Sequence, residues 1–246
     1  MIVQCDAKSL EWLTYLYISQ DKAGIEEWFN FLKDPKLNDI HTNNQNDLKL
    51  SSRLVSKIFL FRCIYRGPAY AYANDPLFKQ VSSSDRFWQG VIDRFFDKYK
   101  DLNKTHIRLI NEATRTGRTL SPFGRVHLHE PKQRRTGGFK WNESDICNHI
   151  NQGCGADVMA VARVSCFNKW KRAGLNGKLI STVHDSIVAD VPTEEVDLAA
   201  QIFHETFRDL PANISKCYGV DWNLPLICEV KAGPNQNEGK EIVMAT

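Results

Sequence analysis

Residues 178–191, KLISTVHDSIVADV, leave the chain little freedom. Ile180, Val183, Ile187, Val188 and Val191 are β-branched and favour a pleated, half-buried surface. His184, Asp185 and Ser186 interrupt them, and Asp185-Ser186 reads as a tight turn joining two short strands. The segment is therefore expected to fold as a hairpin with a carboxylate at its tip. Taken alone, Asp and Ser are ordinary turn residues, and such a hairpin needs no chemistry to explain it. That changes if a second carboxylate and phosphate-binding residues stand at suitable places elsewhere.

Around the hairpin the patterning is mostly helical. Ile2 to Cys5 reads as a short strand running into Asp6. Residues 9–33 show helical spacing, with Leu10, Leu13, Leu16 and Tyr17 on one face and Ile25, Trp28, Phe29 and Leu32 continuing it, until Asp34-Pro35 breaks the pattern. Residues 51–66 form a second helix, opened by serines suited to N-capping and closed by Gly67-Pro68. Further helices are expected over 85–99, 102–116, 143–173 and 194–209. Residues 119–129 look extended, and LPLICEVKAG (224–233) ends in a strand. The order strand, helices, hairpin, helix, strand implies an α+β fold: a small antiparallel sheet backed by helices, with a large helical insertion.

A chain of 246 residues can bury a substantial core, as one large domain or two smaller lobes. No apolar run approaches the roughly 20 residues needed to cross a bilayer, and MIVQCDAKSL lacks the basic start and apolar stretch of a signal peptide. A cytosolic protein without membrane contact is expected. The seven cysteines are odd in number and form no C-x-x-C pair, which argues against a disulfide framework or structural zinc and for reduced thiols. A net charge of +3 is too small to argue for a nucleic-acid partner. Residues 132–140, KQRRTGGFK, carry positive charges and no negative one, a pattern that most commonly marks a solvated loop.

Asp6 ends an apolar strand as Asp185 sits in a hairpin turn. Two carboxylates from adjacent strands could bind a pair of magnesium ions, which take one or two carboxylates plus substrate phosphates. Two such metals, about 4 Å apart, can clamp the attacking and leaving oxygens of an in-line phosphoryl transfer. Either aspartate alone is more simply structural. The helix between them strengthens the pair, because Arg53, Lys57, Phe61 and Tyr65 recur every four residues along one slowly drifting face. The bland alternative puts the aromatics in the core and the cations in solvent. A core-facing stripe, however, seldom carries two cations in register with its aromatics. Cations suit a triphosphate and aromatic faces suit a nucleobase, so this helix reads as a nucleotide-binding face.

In order along the chain, these motifs resemble those of the family A DNA polymerases, the group of bacterial DNA polymerase I and several phage replicases. Asp6-Ala7-Lys8-Ser9-Leu10-Glu11 is similar to the family's D-x-S-x-x-E stretch, with Ser one position late. Arg53, Lys57, Phe61 and Tyr65 resemble its fingers helix, and Val183-His184-Asp185 its last catalytic motif. Asp39-Ile40-His41 is similar to its D-I-H signature, GRTLSPFGR (117–125) to its G-x-x-T-x-x-G-R hairpin, and Asn148-x3-Gln152-Gly153 to its N-x-x-x-Q-G helix. The short spacing from His41 to Arg53 is more like the phage branch.

The resemblance implies a right-hand polymerase fold with palm over 1–40 and 119–246, fingers over 41–118, and thumb and exonuclease absent. It implies that Asp6 and Asp185, with the Ala7 carbonyl, bind two Mg²⁺. Arg53 and Lys57 would hold the incoming triphosphate, with Lys57 catalytic through protonation of the leaving pyrophosphate. His41 would touch the triphosphate, Phe61 and Tyr65 would shape the sugar and base pocket, and Glu11 would be the steric gate against a ribose 2′-hydroxyl. Asn148, Gln152, Arg125 and His184 would face DNA.

Several positions depart from the family pattern. Ser186 replaces the usual Glu, and the related single-subunit RNA polymerases carry HDS there, but those enzymes have a small residue where Glu11 stands. Leu13 occupies a position where many members have Arg, and Arg66 separates Tyr65 from the glycine that usually follows it. The expected function is DNA-directed DNA polymerase. The alternatives are an RNA polymerase fragment or a non-catalytic nucleic-acid-binding replisome module, against which both aspartates and Lys57 speak. Because the chain starts five residues before Asp6, it is expected to be the C-terminal part of a split or truncated polymerase in the cytoplasm. Its expected partners are primer-template DNA, deoxynucleoside triphosphates and a second polypeptide carrying the thumb, remaining palm and any exonuclease.

Overall fold

The computed structural model describes residues 1–134 and 136–242. They form two compact units, a sheet unit of Met1–Thr14, Pro122–Arg125 and 152–242, and a helical unit of Tyr15–Ser121 and the described residues of 126–151. The α+β class expected from the patterning is present. Among the described residues no helix is long and apolar enough to cross a membrane, and all seven cysteines are free thiols.

The sheet unit is built on five antiparallel strands in the order Lys178–Val183, Ser186–Asp190, Ile2–Ala7, Cys228–Gly233, Lys240–Glu241. The strand Ile2–Ala7 is paired along both edges. Its alternation turns Val3, Cys5 and Ala7 inward and leaves Ile2, Gln4 and Asp6 half-exposed. The helix Val196–Tyr218 packs on this strand and on Cys228–Gly233. That helix runs past the expected end at residue 209 and through Pro211 to Gly219, whose φ of +67° closes it. The reason is burial: Phe203, Phe207, Leu210 and Ile214 form one apolar stripe that continues across the proline.

The hairpin also differs from expectation in one detail. Its turn residues are His184 and Asp185, and Ser186 already belongs to the second strand. His184 takes φ +52°, the left-handed value that tight hairpin turns require at their first position.

The single helix expected over residues 9–33 is two, Leu10–Ser19, which contributes residues to both units, and Lys22–Lys33 of the helical unit. Gln20 turns left-handed at φ +51°, and Asp21 caps the second of the two. One oxygen of the buried Asp21 carboxylate accepts from Gly24 N at 3.0 Å, and the other accepts from Asp101 N at 2.9 Å and Leu102 N at 3.1 Å. It thus satisfies open amides at the starts of two helices, Lys22–Lys33 and Lys100–Thr116.

An aromatic core of Phe59, Tyr72, Phe78, Trp88 and Phe95 joins the helices Arg53–Ile64, Ala69–Ala73, Pro76–Lys79 and Asp85–Lys98. The helix Ile40–Leu48 was hidden by its polar sequence. Two small hairpins lie beyond these helices in the chain, Arg118–Leu120 with Val126–Leu128 and Lys132–Gln133 with Phe139–Lys140. The second carries the basic run as an exposed ribbon, and Arg135 of that run lies outside the described residues. The helix Glu143–Ala173 has the bounds expected and contributes residues to both units.

Replacing Asp21 by Ala removes a cap from two helices and strands buried amides. Urea unfolding of Asp21→Ala should show a loss of about 2 kcal/mol or more, since a single cap is worth about 1. A loss within a few tenths would mean that water replaces the carboxylate.

Candidate active site

In the sheet unit, strand pairing brings the first carboxylate beside the second. Asp6 is in register with Ser186, one residue beyond Asp185, and the Ala7 amide donates to the Asp185 carbonyl at 2.9 Å. Burial pushes the Asp6 carboxyl up, the Gln4 amide opposes that, and the Asp185 carboxylate adds to it. Gln4 Nε2 donates to both Asp6 oxygens at 3.1 Å. Sequence reasoning passed over Gln4, although two residues back along a strand is the same face. Glu229, in register with Asp6, and Lys231, in register with Gln4, form an ion pair of 3.3 Å.

Ser186, which stands in place of the family's usual Glu, is buried and donates its hydroxyl to the Val183 carbonyl at 3.0 Å. Its work is to close the turn that presents Asp185. His184 is exposed on that turn.

Glu11 lies in the first turn of the helix Leu10–Ser19, and Gln152 Nε2 donates to Glu11 Oε1 at 2.6 Å. Arg125 forks onto Asp157, Nε to Oδ2 at 3.1 Å and NH2 to Oδ1. That pairing raises the Arg125 pKa further. Asp157 had no signal in the sequence beyond its charge.

In the helical unit, the helix Arg53–Ile64 is capped by Ser52, whose hydroxyl accepts from Val55 N. It buries Val55, Ser56, Phe59, Leu60, Cys63 and Ile64. The other face carries Arg53 and Lys57 in solvent and Phe61 half-exposed, so these side chains are not core. Arg53 is bidentate to Asp39, with Nε to Oδ1 at 2.9 Å and NH2 to Oδ2 at 2.7 Å. Lys57 has no ion pair among the described residues.

The His41 and Phe61 rings are 6.2 Å apart. Burial lowers His41 to about 4; Asp39 opposes this, and Arg53 and Lys57 add to it, so the imidazole is neutral at pH 7. His41 Nδ1 and Asn148 Oδ1 are both buried without a hydrogen-bond partner among the described residues, which leaves each open to a ligand.

Tyr65 ends the helix, where its carbonyl accepts from Ser144 Oγ at 2.6 Å and its hydroxyl from Asn151 Nδ2 at 3.5 Å. Arg66 then turns left-handed at φ +54°, a backbone region that favours glycine, and its guanidinium donates to Glu143 at 2.9 Å and Asn103 at 3.3 Å. Those contacts offset a strain of about 1 kcal/mol. The glycine itself has moved to Gly67, where a Cβ would come 3.0 Å from the Arg62 carbonyl.

The family model for DNA polymerase family A matches residues 1–238. The chain belongs to that family. DNA polymerase I of Caldicellulosiruptor bescii is 23% identical over 249 residues, covering 98% of this chain and 27% of that protein. DNA polymerase I of Pseudomonas aeruginosa is 28% identical over 193 residues, 78% of this chain and 20% of that protein. The DNA polymerase of Bacillus phage SP01 is 24% identical over 203 residues, 79% and 21% respectively. This chain therefore spans about a quarter of the length of these relatives. Its fold is similar to part of the POL domain of Pol1 from M. smegmatis, solved in complex with DNA primer-template and dNTP. The TM-score is 0.73 at 20% identity, over 94% of this chain and 39% of that one.

The Asp39–Arg53 pair has a pH signature. Burial by itself would raise Asp39, but Arg53 and the Thr42 amide and hydroxyl outweigh it and hold the carboxyl at about 2. The folded value lies below the ordinary 3.8, so this contribution is present above about pH 4 and is lost as pH falls toward 2. The melting temperature of Arg53→Met should fall below wild type at pH 6, and the gap should close on acidification. A gap independent of pH would mean that the pair does not stabilise the fold.

Proposed function

We propose that this chain is the catalytic portion of a DNA-directed DNA polymerase, adding deoxynucleotides to a primer 3′ end by two-metal phosphoryl transfer. The observation that carries the reading is the register placing Asp6 against Ser186, so that two carboxylates of the family's catalytic motifs are neighbours on one sheet. Among the described residues no group of three or more histidine, cysteine or acidic side chains is disposed to share an ion. That suits Mg²⁺, which needs only one or two carboxylates and completes its shell with carbonyl, water and phosphate oxygens. Asp6, Asp185 and the Ala7 carbonyl would hold it. Bound there, two Mg²⁺ would supply activation of the primer 3′ oxygen and stabilisation of the departing pyrophosphate.

The chain's own residues do the remaining work. Lys57, uncommitted among the described residues, meets the triphosphate and gives a proton to the pyrophosphate oxygen as the bond breaks. Arg53 binds outer phosphate oxygens, for which its guanidinium must share or leave Asp39. Neutral His41 offers a nitrogen to the triphosphate, and the half-exposed ring of Phe61 lines the base and sugar. Glu11 crowds a ribose 2′-hydroxyl and so selects deoxyribose, which separates this reading from an RNA polymerase. Asn148, Gln152, His184 and the exposed part of Arg125 face the template and primer. Palm over 1–40 and 119–246 with fingers over 41–118 is the functional division consistent with these roles.

Duplex DNA is held largely by many phosphate contacts, and we assign the rest of that grip to a second polypeptide carrying thumb and further palm. The exposed edge strand Lys178–Val183, with Ile180 and Val183 uncovered, supports such a partner. The seven free thiols suit a reducing cytoplasm.

Primer extension tests the reading. Asp6→Asn and Asp185→Asn should each abolish nucleotide addition in Mg²⁺. Their melting temperatures in chelator should be no lower than wild type, because each removes a like-charge repulsion. Lys57→Ala should lower mainly the rate of addition and Arg53→Ala should mainly raise KM, separable in single-turnover kinetics. Near wild-type extension by either aspartate variant would sink the two-metal assignment.

A further inference from the structure

Glu11 and Gln152 are far apart in sequence, yet in the sheet unit the Gln152 amide reaches the Glu11 carboxylate at 2.6 Å. The backbones that carry them are fixed. Ser9, left-handed at φ +55°, sets the start of the Glu11 helix, and Leu10 is buried against Gly155 one turn beyond Gln152. Glu11 itself is only half-buried, and its side chain has several rotatable bonds. A carboxylate that can swing aside makes a poor wall. The Gln152 bond removes that freedom at Oε1, while Oε2 has no partner among the described residues.

We propose that Gln152 is a positioning residue that holds Glu11 in place and so sets how strictly the sugar is selected. This rests on the reading of Glu11 as the barrier to a 2′-hydroxyl. Glutamine suits the task chemically. Its N–H donates a charge-assisted bond to the carboxylate, and its neutrality leaves the glutamate charge in place. An acidic residue there would push the carboxylate away, and a methionine of similar length would let it move.

The test is single-nucleotide addition on a primer-template, read as the ratio of kcat/KM for deoxy- over ribonucleotide. Where turnover is slow, the equilibrium affinities of the two sugars in Ca²⁺ read the ground-state part of that discrimination, which should shift in the same direction. Gln152→Met should lower the ratio by about tenfold, within what one charge-assisted hydrogen bond supplies. Gln152→Arg, which keeps a donor of similar reach, should recover most of it. Glu11→Ala should lower the ratio at least as far, and adding Gln152→Met in that background should change it no further. If Gln152→Met slows both sugars equally and leaves the ratio unchanged while Glu11→Ala collapses it, Gln152 serves DNA or the fold alone and the inference is wrong although the gate stands. If Glu11→Ala leaves the ratio unmoved, the gate reading fails and takes this inference with it.

Discussion

The pairing of Ile2–Ala7 along both of its edges is the constraint on which the sheet unit depends. A strand of six residues offers few contacts, so its register is decided by the inward trio Val3, Cys5 and Ala7. A slip of one residue would turn Gln4 and Asp6 into the core and those three outward, a loss no other contact repays. The same register that hides the trio sets Asp6 beside the Asp185 turn. Two like charges are thereby held together by apolar burial on the other face of the strand, an arrangement unfavourable in itself and suited to a cation.

The site residues are supported by contacts that look incidental one at a time. Asp39 both caps the helix Ile40–Leu48 and holds Arg53, so one carboxylate organises His41 and the cation proposed to meet phosphate together. Ser186 spends its hydroxyl on the turn carrying Asp185. His184 and Ser9, each close in sequence to one of the two aspartates of the proposed site, sit at positive φ. Backbone strain of this kind persists where surrounding structure enforces it and is common at functional sites. Arg66 occupies a left-handed position without being glycine because Glu143 and Asn103 hold its side chain.

Much of this fold was legible in the sequence. The hairpin, the helix Glu143–Ala173 and the Arg53–Lys57–Phe61 face arise from local periodicity, and the motif order pointed to family A. What was illegible has physical causes. Gln20 breaks a helix with no Gly or Pro to announce it, because the break is fixed by Asp21 reaching residues 101 and 102. The helix Ile40–Leu48 has almost no apolar period; it exists through its cap and through Asn44, which accepts from Lys98 and Tyr99. The helix expected to end at residue 209 continues through Pro211 because Leu210 and Ile214 are buried. In the site, the candidate residues could be named from motifs, whereas their partners Asp157 and Gln4 and the Glu11–Gln152 bond depend on tertiary neighbours that no local pattern encodes.

Strand register, on this account, makes Asp6 and Asp185 one cation-binding pair. Mn²⁺ titrated into the protein with a deoxynucleoside triphosphate, and monitored by electron paramagnetic resonance, reads that pair without requiring turnover. Wild type should show protein-bound Mn²⁺, and Asp6→Asn and Asp185→Asn should each lose it while remaining folded. Equal Mn²⁺ binding by wild type and both variants would contradict the account.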